Sequence, residues 1–186
     1  MKKQKVTVQI YENYKTFRAP AGLHDRIVRM ISAVPSEYLI GLSSVVLVDS
    51  DTQESERTWR RKGQKFRSQR CYGLYHPTSS QREAWIELLL DNIFASGHSL
   101  LMRFAVAQDV AIASTLYHEI GHHIDAMTVK GRVSREAAAE DWVAKLGRPY
   151  FKRRYWYLLP IIAPARLALR FLKRRRKRKR TMAPLP

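Results

Sequence analysis

A single cysteine, Cys71, stands in this chain of 186 residues, so no internal disulfide framework can staple it, and a reducing compartment such as cytosol fits. The longest apolar stretches fall well short of a membrane-crossing helix, which argues against an ordinary transmembrane span. The basic start Met1-Lys2-Lys3-Gln4-Lys5 is followed by alternation rather than an apolar run, so no secretory signal peptide is expected. No internal repeat is visible. Acid is missing from the C-terminal part: from Arg148 onward there are fourteen Lys and Arg and no Asp or Glu.

What is present describes a globular body with a basic appendage. The hydrophobic fraction of 45% and charged fraction of 27% exclude wholesale disorder, and the length allows a real core. The net charge is +18, yet the first 147 residues hold 20 basic against 16 acidic residues. The body is near neutral, and the tail is the part that seeks polyanions. The expected division is a domain over 1–147 and a tail over 148–186.

Lys5 to Tyr11 alternates with period two, with Val6, Val8 and Ile10 on one face, and reads as a strand. After the break Ala19-Pro20-Ala21-Gly22, the spacing of Leu23, Ile27, Met30, Ile31 and Val34 predicts an amphipathic helix ended by Pro35. Leu42 to Val48 is β-branched and reads as a buried strand. Ser50 to Arg70 is polar, with Trp59 and Phe66 its main apolar content, and reads as a long surface loop. Two further strands are expected at Cys71 to Tyr75 and Ala84 to Leu90. From Ser99 to Met127 there is no proline and one glycine, Gly121, and a long buried helix is predicted. Ser134 is placed to cap a second helix running to Leu146 and stopped by Gly147 and Pro149. Sheet segments followed by helices give the class α+β.

The long helix carries Tyr117-His118-Glu119-Ile120-Gly121-His122-His123-Ile124-Asp125. His118 and His122 are four apart, so their imidazoles project from one helix face and can reach a common Zn²⁺. Glu119 stands where its carboxylate can meet a water at the metal without ligating it; this is the HExxH arrangement. A catalytic zinc needs a third protein ligand. A metzincin continuation is ruled out, because positions 125 and 128 hold Asp125 and Thr128 rather than glycine and histidine. The next helix offers Glu136 and Glu140, one turn apart: one can ligate while the other accepts the outer N–H of a ligating imidazole.

HEIGHHID followed by EAAAEDWVAKL resembles the gluzincin clan of zinc metallopeptidases, especially its small single-domain minigluzincin members. The strong likeness covers His118 to Leu146. On that resemblance the fold is a small zincin-like α+β domain, with a short mixed sheet, an active-site helix carrying HExxH and a following helix supplying the third ligand. It implies one zinc per chain held by His118, His122 and Glu136, with Glu140 as the supporting carboxylate. Two departures stand out. The gap from His122 to Glu136 is short for the clan, which leaves open a swap with Glu140 as ligand and Glu136 as support; and Val143 stands where alanine is more usual. The implied activity is peptide-bond hydrolysis, zinc polarising the carbonyl and a water while Glu119 acts as general base and then acid. An edge strand preceding the active helix is implied to pair with an extended protein or peptide substrate, the strands at Cys71 and Ala84 being the candidates.

Other histidines and neighbours invite plainer readings. His123 is expected at the core edge or capping a backbone group; His24, His76 and His98 as structural; Tyr117 as packing; Asp125 as a surface or tautomer-fixing carboxylate; Cys71 as a small buried residue. A zinc-stabilised binding module without turnover is the rival to an enzyme.

In the tail, Tyr155-Trp156-Tyr157-Leu158-Leu159 precedes Arg166, Leu167, Arg170 and Phe171, then eight consecutive basic residues over 173–180. Aromatics suited to a headgroup layer beside basic and apolar helical faces predict a peripheral tether to an anionic membrane surface, cytoplasmic and at the inner face. Pro160, Pro164 and the arginines argue against a full span. The competing partner is nucleic acid, which such a run binds without reading sequence, in which case a nucleic-acid-associated metalloprotease is expected.

Overall fold

A computed structural model of the chain describes residues 7–53, 60–61, 64–65, 71–97, 100–128, 135–158 and 160. The chain divides into two compact units, Met1–Tyr150 and Phe151–Pro186.

The first unit opens with strand β1 (Gln9–Asn13). Helix α1 (Leu23–Ser32) follows, entered through Gly22 in the left-handed region at φ 68°, and buries Leu23, Ile27, Met30 and Ile31 as their spacing requires. A 3-10 turn (Ser36–Leu39) leads to β2 (Leu42–Val48), then a short helix α2 (Ser50–Gln53) and the paired strands β3 (Arg60–Arg61) and β4 (Gln64–Lys65). Next come β5 (Gly73–His76), β6 (Ala84–Leu89) and helix α3 (Leu90–Ser96). A 3-10 turn (Leu101–Arg103) precedes the long helix α4 (Ala105–Thr128), and α5 runs over Arg135–Arg154.

The main sheet has the order β1-β2-β6-β5. β1, β2 and β6 are parallel, and β5 is antiparallel to β6, with Gly73 opposite Leu88 and Tyr75 opposite Ile86. The class is α+β, with a small four-stranded mixed sheet and five α-helices among the described residues. β6 lies between two neighbours and is buried along almost its whole length, which explains why it is apolar except at Glu87, whose buried carboxylate meets His76. The sheet and α1 bury their apolar faces with α4, whose Ile112, Leu116, Tyr117 and Ile120 are fully buried.

Several expected element bounds need correction, the first strand among them: it runs over Gln9–Asn13 rather than Lys5 to Tyr11, and Lys5 and Val6 lie outside the described residues. Ser50 to Arg70 is not all loop: α2 and the β3–β4 pair lie within it, and the remainder, with Trp59 and Phe66, lies outside the described residues. α2 forms because the Asp49 carboxylate accepts from Thr52 N–H at 3.0 Å, acting as an N-cap. The last strand ends at Leu89, and Leu90 opens α3, which buries Leu90 and Ile93. The long helix begins at Ala105 rather than Ser99, because Gln108 holds the Met102 carbonyl at 2.7 Å and the turn before α4 is thereby fixed in another conformation.

The second helix does not stop at Gly147; Pro149 lies inside α5. Just beyond the proline, Tyr150 is buried, donates its hydroxyl to Asp109 Oδ2 at 3.2 Å and meets the Tyr117 ring edge-on. That anchor holds the next turn helical, while the exposed positions of Lys145 and Pro149 let water take the carbonyl that the proline leaves unbonded. The Ser134 cap lies outside the described residues.

In the second unit the end of α5 is followed by a 3-10 turn (Trp156–Leu158). Phe151 stacks on Tyr155, while Trp156 and Tyr157 are exposed. The apolar and basic stretches from Ile161 onward lie outside the described residues.

Candidate metal centre

α4 and α5 cross where side chains are smallest. A Cβ on Gly121 would stand 2.8 Å from Ala139 Cα and 3.1 Å from Trp142 Cβ, so the lone glycine of α4 is what lets the second helix approach. Glu136 lies one turn before Ala139 on α5, and the crossing therefore delivers its carboxylate to the face of α4 that carries His118 and His122.

The three side chains meet. His118 Nε2 and His122 Nε2 are 3.1 Å apart, and Glu136 oxygens lie 3.3 Å from His118 Nε2 and 3.8 Å from His122 Nε2. One ligand atom from each falls within 4.8 Å of the others, the one such group of three or more among the described residues. Ligands bound at about 2.0–2.1 Å around a tetrahedral ion stand roughly 3.3 Å apart. Two imidazole nitrogens and a carboxylate at these separations fit a zinc-sized cation with little movement. Glu136 is 75% exposed against 26% and 17% for the histidines, so the cluster is open on the Glu136 side. Glu136 also sits in the first turn of α5, where the helix dipole favours a negative charge.

Glu119 is only 7% exposed and faces β5. Tyr72 O accepts from Leu89 N–H at 2.9 Å, which fixes the ladder so that Gly73 and Tyr75 turn their backbone groups away from β6. The Tyr75 N–H donates to the Glu119 carboxylate. A Cβ on Gly73 would collide with Thr115 Cγ2 at 2.7 Å and Glu119 Cγ at 2.9 Å. Burial pushes the Glu119 carboxyl up to about 7; the nearby Glu136 charge adds to this, and the Tyr75 bond opposes it.

Glu140 lies one turn beyond Glu136, exposed and outside the three-residue cluster. Asp125 is half-buried and outside the cluster. His123 caps a backbone group: it is 2% exposed, with Nε2 3.0 Å from the Ile40 carbonyl and Nδ1 3.3 Å from the Tyr75 hydroxyl, and burial lowers its pKa. Tyr117 packs, its hydroxyl bonded to the Met30 carbonyl at 3.1 Å. His76 stacks on Trp85 and approaches Glu87 at 3.2 Å, and His24 pairs with Glu12 at 2.8 Å, both away from the cluster. His98 lies outside the described residues. Cys71 precedes β5, half-buried, rather than lying within the strand.

Sequence reasoning missed Gly73, Gly121 and Tyr75. A lone glycine in a long helix and a glycine within a strand were the available signals for the first two. Tyr75 acts through its backbone, which no side-chain pattern reveals. Comparison with protein-family models, with curated proteins and with solved structures finds no match for the chain.

Proposed function

We propose that the chain is a zinc metallopeptidase of gluzincin type, with His118, His122 and Glu136 holding one zinc and Glu119 as general base. The observation that carries this reading is the convergence of those three ligand atoms from two helices, next to a buried carboxylate one position from the first ligand. Zinc, when bound there, supplies Lewis-acid polarisation of the scissile carbonyl and of a water. With zinc bound, Glu119 would take the proton of the water that attacks the carbonyl and hand it to the amine as the C–N bond breaks. Burial and the Tyr75 N–H hold its carboxylate in one orientation, so little reorganisation accompanies the transfer. Glu140, exposed one turn further on, is the supporting carboxylate that orients a ligating imidazole rather than binding the metal.

The zincin-like reading of the fold has support in the antiparallel edge strand lying over the HExxH helix. Of the two strands expected to receive substrate, β6 is interior and β5 forms the sheet edge. An extended peptide adding to β5 passes the Gly73 and Tyr75 backbone groups, and so runs past Glu119. The substrate class is protein or peptide.

No helix among the described residues is long and apolar enough to cross a membrane. We assign the tail to peripheral association with an anionic membrane surface, on the inner face, because its basic residues come with Tyr155, Trp156 and Tyr157, the last two exposed.

The test is hydrolysis of a peptide library by zinc-loaded wild type and Glu119→Gln. Retained zinc with turnover lost in the variant supports the enzyme. Zinc in both proteins with no turnover in either makes this a zinc-stabilised module.

A further inference from the structure

The turn before α4 is built firmly yet presents apolar side chains to solvent. Leu100, Leu101 and Phe104 are 69%, 54% and 64% exposed, with exposed Arg103 among them. Its backbone is anchored: Gln108 holds the Met102 carbonyl at 2.7 Å, Phe104 N–H bonds Leu101 O at 3.0 Å, and the Phe104 carbonyl accepts from Ala107 N–H at 3.0 Å. Met102 packs so closely on Gly97 that a Cβ there would stand 2.6 Å from its sulfur. Three large apolar side chains on a fixed turn need a partner that removes them from water.

The same end of α4 is where the folded unit releases its chain. Tyr150, its last residue, is tied to Asp109, and Asp109 is paired with Arg26 one turn and a half from Phe104. The chain beyond holds thirteen Lys and Arg and no Asp or Glu. The arginine would suit any phosphate, but exposed leucines and a phenylalanine beside it suit hydrocarbon under anionic headgroups better than a nucleic-acid backbone.

We propose that residues 100–104 form a membrane wedge, inserted into an anionic bilayer beside the point where the basic tail begins. The inference rests on the reading of the tail as a membrane tether and adds to it a second, structured contact. Two contacts fix an orientation where a tail alone would leave the domain free to turn. α4 rises about 1.5 Å per residue, so His118 stands about 20 Å along the helix from Phe104. The substrates addressed are then polypeptide segments outside the bilayer, not within it.

The experiment uses the full chain as Cys71→Ser with Leu101→Cys carrying an environment-sensitive fluorophore, mixed with phosphatidylcholine vesicles with or without phosphatidylserine. The expected result is binding to the phosphatidylserine vesicles with a blue-shifted, several-fold brighter emission. Leu100→Ser/Leu101→Ser/Phe104→Ser in the otherwise unchanged chain should weaken that binding on the order of a hundredfold. Binding with the fluorophore still in water overturns the wedge and leaves the tail tether standing. No binding to anionic vesicles overturns both. A fluorophore already shielded without vesicles, in a dimeric species, makes the occupant a second copy of this chain and overturns the proposal.

Discussion

The Cβ position of Gly73 lies 2.9 Å from Cγ and 3.0 Å from Oε1 of Glu119. The edge strand thus touches the proposed base, and only a residue without a side chain leaves Glu119 where Tyr75 N–H can reach it.

Gly73→Ala therefore displaces Glu119 without touching a metal ligand. A misplacement of about 1 Å at a catalytic group costs on the order of a hundredfold. We expect peptide hydrolysis to fall by roughly that factor with zinc content unchanged, read by steady-state kinetics and elemental analysis on the same preparation. Loss of zinc together with activity would instead place Gly73 in general folding.

Gly121 has the complementary role. Gly121→Val puts side-chain atoms into Ala139 and Trp142 and moves α5 off α4, carrying Glu136 with it. Zinc affinity should drop by roughly 10–100-fold, the range seen when support for a ligand is removed. Competition with a chromophoric chelator measures this. An unaltered affinity contradicts the claim that this crossing positions the third ligand.

Arg26 and Asp109 form a buried pair between α1 and α4, 8% and 1% exposed, with Arg26 also bonded to Gln108 and to the Ala105 carbonyl. Arg26→Ala leaves the Asp109 charge without its cation in a dry site and should cost about 3–5 kcal/mol in denaturant unfolding. A cost under about 1 kcal/mol shows the pair to be peripheral.

Asp49 provides the pH dependence. It is fully buried at the end of β2 and accepts from Lys15 and Thr16 N–H at 2.7 and 2.6 Å, from Phe17 N–H at 3.1 Å and from Thr52. Burial alone raises its pKa, but the bonds from Thr52, Thr16 and Phe17 outweigh it and hold the carboxyl well below the ordinary range. The folded pKa lies below the unfolded value of about 3.9, so its stabilisation is complete above that pH and fades as acid carries the protein down through the folded pKa. Asp49→Asn should be about 2 kcal/mol less stable than wild type at neutral pH, with the gap narrowing below about pH 4. A gap that stays constant across that range contradicts the assignment.

What the sequence made legible follows the strength of the periodic signals. α1 shows a clean apolar stripe, β2 and β6 are short β-branched or apolar runs, and His118 and His122 recur at helical spacing, so each could be placed without coordinates. α3 hides because Leu90 continues the apolar run of β6 and nothing in the pattern marks the change of conformation. The extension of α5 hides because Pro149 is a local stop signal that the tertiary anchor of Tyr150 overrides. Asp49 reads as an ordinary turn residue, since its partners lie more than thirty positions earlier in sequence. The choice between Glu136 and Glu140 depends on the helix crossing angle, which spacing along one helix does not encode; the geometry gathers Glu136.

The most direct measurement is metal content by elemental analysis of wild type, Glu136→Ala and Glu140→Ala, purified without added metal. The expected result is about one zinc per chain in wild type, lost in Glu136→Ala and largely kept in Glu140→Ala. Folded wild type that takes up no zinc even on reconstitution contradicts it.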